Sequence, residues 1–228
     1  MYGYFSYYLF MLPAILFVLY AQIMVSTRYN QFSKVFTYQR VTGKEVAEQI
    51  LRQNGITNVA VCPIAGKMTD HYHPTKKVIN LSQGVYNSTS VAAIGIAAHE
   101  AGHAVQHAKG YAPIKLRTAM VPVCNVGSYL AIPLIIIGAL LSNFGLVQVG
   151  IVLFATITLF QLVTLPVEFD ASRRALEFIR TSGMFAQNEV TGARRVLTAA
   201  AMTYVAALAQ SVLQLLYYVM RFSGNSRD

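Results

Sequence analysis

The fold is decided by an uncharged run at residues 118–167, which reads TAMVPVCNVGSYLAIPLIIIGALLSNFGLVQVGIVLFATITLFQLVTLPV. It contains no Lys, Arg, Asp, Glu or His. A membrane-spanning helix needs about 20 apolar residues, so the run can hold two spans and a tight hairpin. Its most turn-like point is SNFG at residues 142–145. We therefore predict spans at about 120–141 and 146–165.

Two further uncharged runs lie at the ends of the chain. Residues 1–27 carry no charge, and no basic residue precedes their apolar stretch. This pattern predicts a retained anchor at about 4–25 rather than a cleaved signal peptide. Residues 196–220 predict a fourth span at about 199–220. The whole chain of 228 residues is 55% hydrophobic and 12% charged, which is too apolar for an ordinary soluble domain. These runs predict a mainly α integral membrane protein with about four transmembrane helices.

The charged residues are concentrated in two polar segments, about 28–117 and 168–195. The first holds 11 of the 18 basic residues and the second holds five more. With four spans, both segments fall on the same side of the membrane, and the positive-inside rule makes that side cytoplasmic. The net charge of +9 is explained by these flanking residues, so no nucleic-acid partner is expected.

The first polar segment is predicted to fold as a small α+β unit. Thr42 and Glu45 have the spacing of a capping box, which starts a helix that Asn54-Gly55 ends. Two short strands are expected at residues 59–64 and 78–81, with turn residues at 70–74 before the second. We expect the second strand to have an exposed edge, at which an extended substrate can pair.

A third element of this segment carries a metal-binding pattern. Ser90 is a candidate cap for a helix over Val91–Ala108, and that helix contains His99-Glu100-Ala101-Gly102-His103. Residues four apart lie on one helical face, so both imidazoles can reach one ion, with Glu100 beside them. The alternative is a packed helix with two buried histidines. The small apolar neighbours disfavour it, because burying a glutamate there is costly without a metal or partners.

A catalytic zinc ion usually has three protein ligands and one open position for water. The longer metzincin pattern is excluded, because Gln106 and Lys109 occupy its glycine and histidine positions. The remaining candidates for the third ligand are Asp70, His71, His73, Glu168, Asp170 and Glu177. We favour Glu168, which directly follows the third span and so returns to the side of His99 and His103. A downstream glutamate of this kind completes the site of gluzincins. The alternative role for Glu168 is a helix N-terminal charge that interacts with the helix dipole.

Three stretches together resemble the YugP-like family of bacterial membrane neutral zinc metallopeptidases. They are AAHEAGHAVQ at 97–106, Asp70-His71-Tyr72 before a strand, and LPVEF at 165–169. The resemblance covers nearly the whole chain. It implies a single membrane metallopeptidase domain over residues 1–228, with a small cytoplasmic α+β zincin-like part and one Zn²⁺ per chain.

The sequence departs from the related patterns at two positions. Ser172 stands where the E-x-x-x-D pattern of CAAX-type membrane proteases has an aspartate. His73 stands where the D-H-Y-D-P turn of the family has an acidic residue. Asp170, His71 and His73 are therefore kept as candidates to orient a ligand or to bind substrate.

The resulting functional prediction is a multi-pass membrane endopeptidase whose site faces the cytoplasm. Zinc held by His99, His103 and Glu168 would activate a water molecule, with Glu100 as general base. Its partners would be the lipid bilayer and a peptide or protein substrate, including membrane-associated ones. The alternative is a non-catalytic membrane protein that binds a metal or a partner through a degenerate site. The intact Glu100 favours the enzyme. The oligomeric state stays open.

Overall fold

The computed structural model describes residues 2–223, with the side chains of residues 7–222. Residue 1 and residues 224–228, at the ends of the predicted 1–228 domain, lie outside the described part. The helices and strands follow in chain order as α1 (Tyr2–Phe32), α2 (Gly43–Gln53), β1 (Ala60–Ile64), β2 (His71–His73), β3 (Val78–Ser82), α3 (Gln83–Tyr86), α4 (Val91–Ala108), α5 (Ala112–Leu140), α6 (Phe144–Thr181) and α7 (Gln187–Ser223).

The chain divides into two compact units. Within the described residues, the first, the helical unit, consists of residues 2–21, Leu116–Leu165 and 203–223. The second, the mixed unit, consists of Gln22–Lys115 and Pro166–Met202. Each polar segment of the sequence therefore lies largely in the mixed unit, and the uncharged runs lie largely in the helical unit.

The four predicted spans are confirmed as helices. Within the described residues, α1, α5, α6 and α7 are long and apolar enough to cross a membrane. The predicted hairpin is also found, since residues 141–143 separate α5 from α6 and Ser142 has a positive φ of 52°. In the helical unit, a Cβ added at Gly150 would lie 2.8 Å from the carbonyl oxygen of Ala131. Glycine therefore allows α5 and α6 to pack closely, as small residues do in membrane helices.

The mixed unit contains a three-stranded sheet with the order β1-β3-β2. β1 and β3 are parallel, and β2 is antiparallel to β3, with Tyr72 opposite Ile79. Two sequence expectations were wrong here. Residues 71–73, read as part of a turn, form β2, because pairing with β3 overrides local turn chemistry and the turn follows at 74–77. β3 was expected to offer an exposed edge, but it is the central strand with both edges paired.

The helix α4 forms the centre of the mixed unit. Its bounds agree with the prediction, and the Ser90 side chain accepts a hydrogen bond from the backbone of Ala93. The helix is buried along most of its length, and its apolar residues join one core with α2, β3 and parts of α6 and α7. The capping box at Thr42 and Glu45 is likewise present at the start of α2. A helix held on all sides in this way keeps its polar side chains in fixed positions.

Candidate metal centre

Two histidines on α4 face the same point. His99 and His103 are separated by about one helical turn, and their ring centroids lie 4.7 Å apart. His103 is buried, and His99 is partly buried. Imidazoles at this spacing can bind one ion.

The carboxylate of Glu168 on α6 completes a three-residue cluster. Its Oε2 atom lies 3.2 Å from Nε2 of His99 and 3.7 Å from Nε2 of His103. One ligand atom from each residue lies within 4.8 Å of the others. Glu168 is only 1% exposed, so the group is shielded from bulk water. Two imidazole nitrogens and one carboxylate form a donor set typical of zinc.

A glycine permits this approach of α6 to α4. A Cβ added at Gly102 would lie 2.8 Å from the carbonyl oxygen of Ala171, closer than real Cβ atoms come to a backbone. The absence of a side chain at Gly102 lets the helix segment after Glu168 lie directly against α4.

The Nδ1 atom of His103 is oriented by Gln106, which is fully buried. Gln106 Nε2 donates hydrogen bonds to the carbonyl oxygen of Val167 (2.8 Å) and to Oδ2 of Asp170 (2.9 Å). Its Oε1 therefore faces Nδ1 of His103 at 3.0 Å and can only accept. His103 consequently carries a proton on Nδ1, and Nε2, which faces Glu168, is the nitrogen left to bind a metal ion, as a ligating histidine needs.

The other histidine has a different neighbour. Nδ1 of His99 lies 3.1 Å from Oγ of Ser172. Ser172 is the position at which the related pattern has an aspartate, so a hydroxyl here occupies the place of a carboxylate. A hydroxyl can either donate or accept a hydrogen bond, and so it restricts His99 less strongly than Gln106 restricts His103.

The cluster favours a cation between its members. Burial lowers the pKa of His103, but the hydrogen bond with Glu168 and the charges of Glu100 and Glu168 outweigh it, so the pKa lies above 6.5. Three acceptor atoms that converge in a buried place require a proton or a metal ion among them. The residues present therefore fit Zn²⁺.

Glu100 lies beside the cluster rather than in it. It is buried, and its Oε2 accepts a hydrogen bond from the backbone N–H of Tyr72 at 2.9 Å. Tyr72 is in β2, at the edge of the sheet that faces away from β3. The backbone contact fixes a carboxylate next to the three candidate ligands, where a general base would be needed.

The remaining candidates have other contacts. Asp170 accepts hydrogen bonds from Gln106, Arg173 and Arg174, so it reaches His103 only through Gln106. His71 contacts the carbonyl of Thr69 and the amide of Asn80, and His73 Nδ1 accepts from Lys76 N–H. Asp70 accepts from Ser82, and Glu177 pairs with Arg173. Among the described residues, only His99, His103 and Glu168 form a group that could hold a metal ion.

Sequence reasoning missed the role of Gln106. It used this residue only to exclude a longer zinc motif. The available signal was helical spacing, because Gln106 follows His103 by three residues and so lies on the same face.

Comparison with known proteins identifies a family of zinc metallopeptidases. Residues 7–223 match the model of a family described as "Putative neutral zinc metallopeptidase". The chain is 45% identical over 208 residues to a protein of Bacillus subtilis (strain 168) named "Putative membrane protease YugP". That alignment covers 91% of this chain and 92% of the relative. No solved structure matches the chain.

Proposed function

Because the chain belongs to this family of neutral zinc metallopeptidases, we propose that it is a membrane-embedded zinc-dependent endopeptidase. The observation that carries the proposal is the convergence of His99, His103 and Glu168, within 4.8 Å of one another, beside the carboxylate of Glu100. His99 and His103 would hold the ion through Nε2, and Glu168 through its carboxylate. A Zn²⁺ ion bound there supplies Lewis-acid chemistry, polarising the scissile carbonyl and activating water.

Glu100 is proposed as the general base. Its carboxylate would accept a proton from the attacking water and then donate it to the leaving amine. The N–H of Tyr72 holds Oε2 of Glu100 in place at 2.9 Å, and the other oxygen would then serve in the proton transfer. Burial of Glu100 keeps bulk water from competing for this proton transfer.

We propose the outer edge of β2 as the place where an extended substrate pairs, instead of the β3 edge expected from the sequence. Residue Tyr72 directs its N–H toward Glu100, and its carbonyl lies on the same outer edge, where a substrate N–H can donate to it. β-addition of this kind recognises the substrate through main-chain hydrogen bonds, so the substrate class is a peptide or protein with an extended segment.

The proposed orientation puts the mixed unit in the cytoplasm, with residues 1–228 acting as one membrane peptidase. Sixteen of the 18 basic residues lie in the two polar segments, which supports this side by the positive-inside rule. Reporter fusions after Tyr38 and after Ser182 should both report the cytoplasm, and one inserted at Asn143 should report the outside. Disagreement between the first two would contradict the orientation.

The proposed activity is tested by comparing membranes that contain the wild type or Glu100→Gln. This substitution keeps the size of the side chain and removes the base. Quantitative proteomics should find cleavage fragments that disappear in the variant, while zinc content stays at the wild-type level. If both proteins bind zinc and give identical fragments, the chain is a non-catalytic metal-binding protein, and the peptidase proposal fails.

A further inference from the structure

A cavity of about 600 Å³ lies between α6 and α7 within the mixed unit. One face of each helix lines it, at the three- and four-residue spacing of a helical surface. Its principal residues are Arg173, Leu176, Arg180, Arg194, Leu197 and Met202. The volume is in the range of pockets that bind small molecules, roughly 300–1,000 Å³. Neither the candidate ligands nor Glu100 line this cavity. Ser172 does line it, and its hydroxyl contacts His99, so one end of the cavity adjoins the candidate metal centre.

The cavity has an excess of positive charge. It is lined by three arginines and one carboxylate, that of Glu177. Arg173 is paired with Asp170 and lies 3.6 Å from Glu177, so its charge is already compensated. Arg180 and Arg194 are exposed, and no carboxylate lies within ion-pair distance of either one in the part of the chain whose side chains are described. Two guanidinium groups are therefore available to an anion.

The other part of the cavity is apolar. Leu176, Leu197 and Met202 contribute to it, and Leu197 is almost fully buried. Along α7 the arginine comes first and the apolar residues follow, with Met202 eight residues after Arg194. At 1.5 Å per residue this separation is about 12 Å. Met202 also lies within the uncharged stretch of α7 at residues 196–220, so the apolar end is the one that continues into a membrane-spanning sequence.

We propose that this cavity binds an anionic phospholipid. Arg180 and Arg194 bind the phosphodiester, and an acyl chain lies along Leu176, Leu197 and Met202. Guanidinium groups suit phosphate oxygens, because their planar donors can form two parallel hydrogen bonds. A small soluble anion would use the arginines and leave the apolar surface wet. A phospholipid matches both the arginine end and the apolar end of the cavity, and it is abundant next to any membrane helix. Basic pockets between membrane helices bind anionic head groups in this way.

The test uses the full-length, zinc-loaded protein in a non-ionic detergent, with lipid binding followed by native mass spectrometry. The probes are phosphatidylglycerol, phosphatidylcholine, glycerol 3-phosphate and an acidic peptide. The variants are Arg180→Gln with Arg194→Gln, and each single substitution. Arg195→Gln is the matched control, since Arg195 is exposed beside Arg194 and does not line the cavity. Zinc content and the unfolding midpoint report whether each variant is folded.

Wild type should bind phosphatidylglycerol at least about tenfold more tightly than phosphatidylcholine. Each basic side chain near a membrane surface contributes about 1 kcal/mol, or about fivefold, so the double variant should lose about 30-fold. Arg195→Gln should stay within about twofold of wild type, because Arg195 does not line the cavity and an exposed charge out of contact with the phosphate contributes little. If the double variant does not fold, the two single variants provide the test, and each should bind phosphatidylglycerol about fivefold more weakly than wild type.

Four results would overturn the proposal. The first is unchanged phosphatidylglycerol binding when either arginine is removed. The second is an equal loss in Arg195→Gln, which would indicate general surface charge. The third is binding of glycerol 3-phosphate as tight as that of the lipid, which would indicate a site for soluble phosphoesters. The fourth is an acidic peptide that binds to the cavity where phosphatidylglycerol does not.

Discussion

Replacing Gln106 by leucine should weaken zinc binding without removing any of the proposed ligands. The substitution keeps a similar volume at a fully buried position and deletes three hydrogen bonds of 2.8, 2.9 and 3.0 Å. Of the three groups that contact Gln106, Asp170 keeps its contact with Arg174, and the carbonyl of Val167 lies within α6. The Nδ1–H of His103 is therefore the group that loses its hydrogen-bond partner. A buried donor without a partner costs about 1–3 kcal/mol.

Much of that cost should appear in metal affinity, because His103 is no longer held in its ligating tautomer. Residues that support a ligand typically change affinity by about 10–100-fold. The assay is competition for Zn²⁺ with a chromophoric chelator, together with the absorption spectrum of the Co²⁺-substituted protein. Gln53→Leu, at the exposed end of α2, is the control for loss of a glutamine side chain. If Gln106→Leu folds and binds zinc within twofold of wild type, the proposed relay from Gln106 to His103 is wrong.

Three further predictions concern the same centre. Glu168→Gln should weaken zinc binding and abolish hydrolysis, because the amide lacks the charge that offsets Zn²⁺. Asp170→Asn should lower zinc affinity or activity by only about 10–100-fold. Full zinc content and activity in Glu168→Gln would show that the third ligand is misassigned. The pKa of His103 is raised above 6.5, so protons should compete with zinc as the pH falls through this raised value. Zinc affinity measured from pH 8 to pH 5 should therefore begin to decline above pH 6.5. A constant zinc affinity over that range would contradict the competition. Gly102→Ala should lower the free energy of unfolding by about 1–3 kcal/mol, because its Cβ would lie 2.8 Å from the backbone of α6. Gly95→Ala is the control and should not lower it, because the added Cβ would lie 3.6 Å from its nearest neighbour. Equal thermal stability of the two variants would refute the close packing.

Local signals made much of the fold predictable. The uncharged runs depend only on composition, and they gave the four apolar helices that the structure contains. The start of α4 was also predictable, because the capping of Ser90 is a contact between residues three apart. β2 was missed because its pairing of Tyr72 with Ile79 depends on the neighbouring strand rather than on its own three residues.

The candidate site was predictable where helical spacing determines it. His99 and His103 share a face of α4, and Glu168 was selected from its position after a span. The role of Gln106 in orienting His103 was missed because it depends on hydrogen bonds with Val167 and Asp170, about 60 residues away in the chain. Sequence spacing alone does not place such residues next to one another.

If His99, His103 and Glu168 hold one zinc ion, metal analysis of the purified protein should detect it. Wild-type protein and His103→Ala would be prepared in detergent without chelator and measured by inductively coupled plasma mass spectrometry. We expect about one zinc per chain in the wild type and loss of the metal in the variant, since three ligands define one tetrahedral site. A wild type without zinc, or a folded His103→Ala variant with a full zinc content, would contradict it.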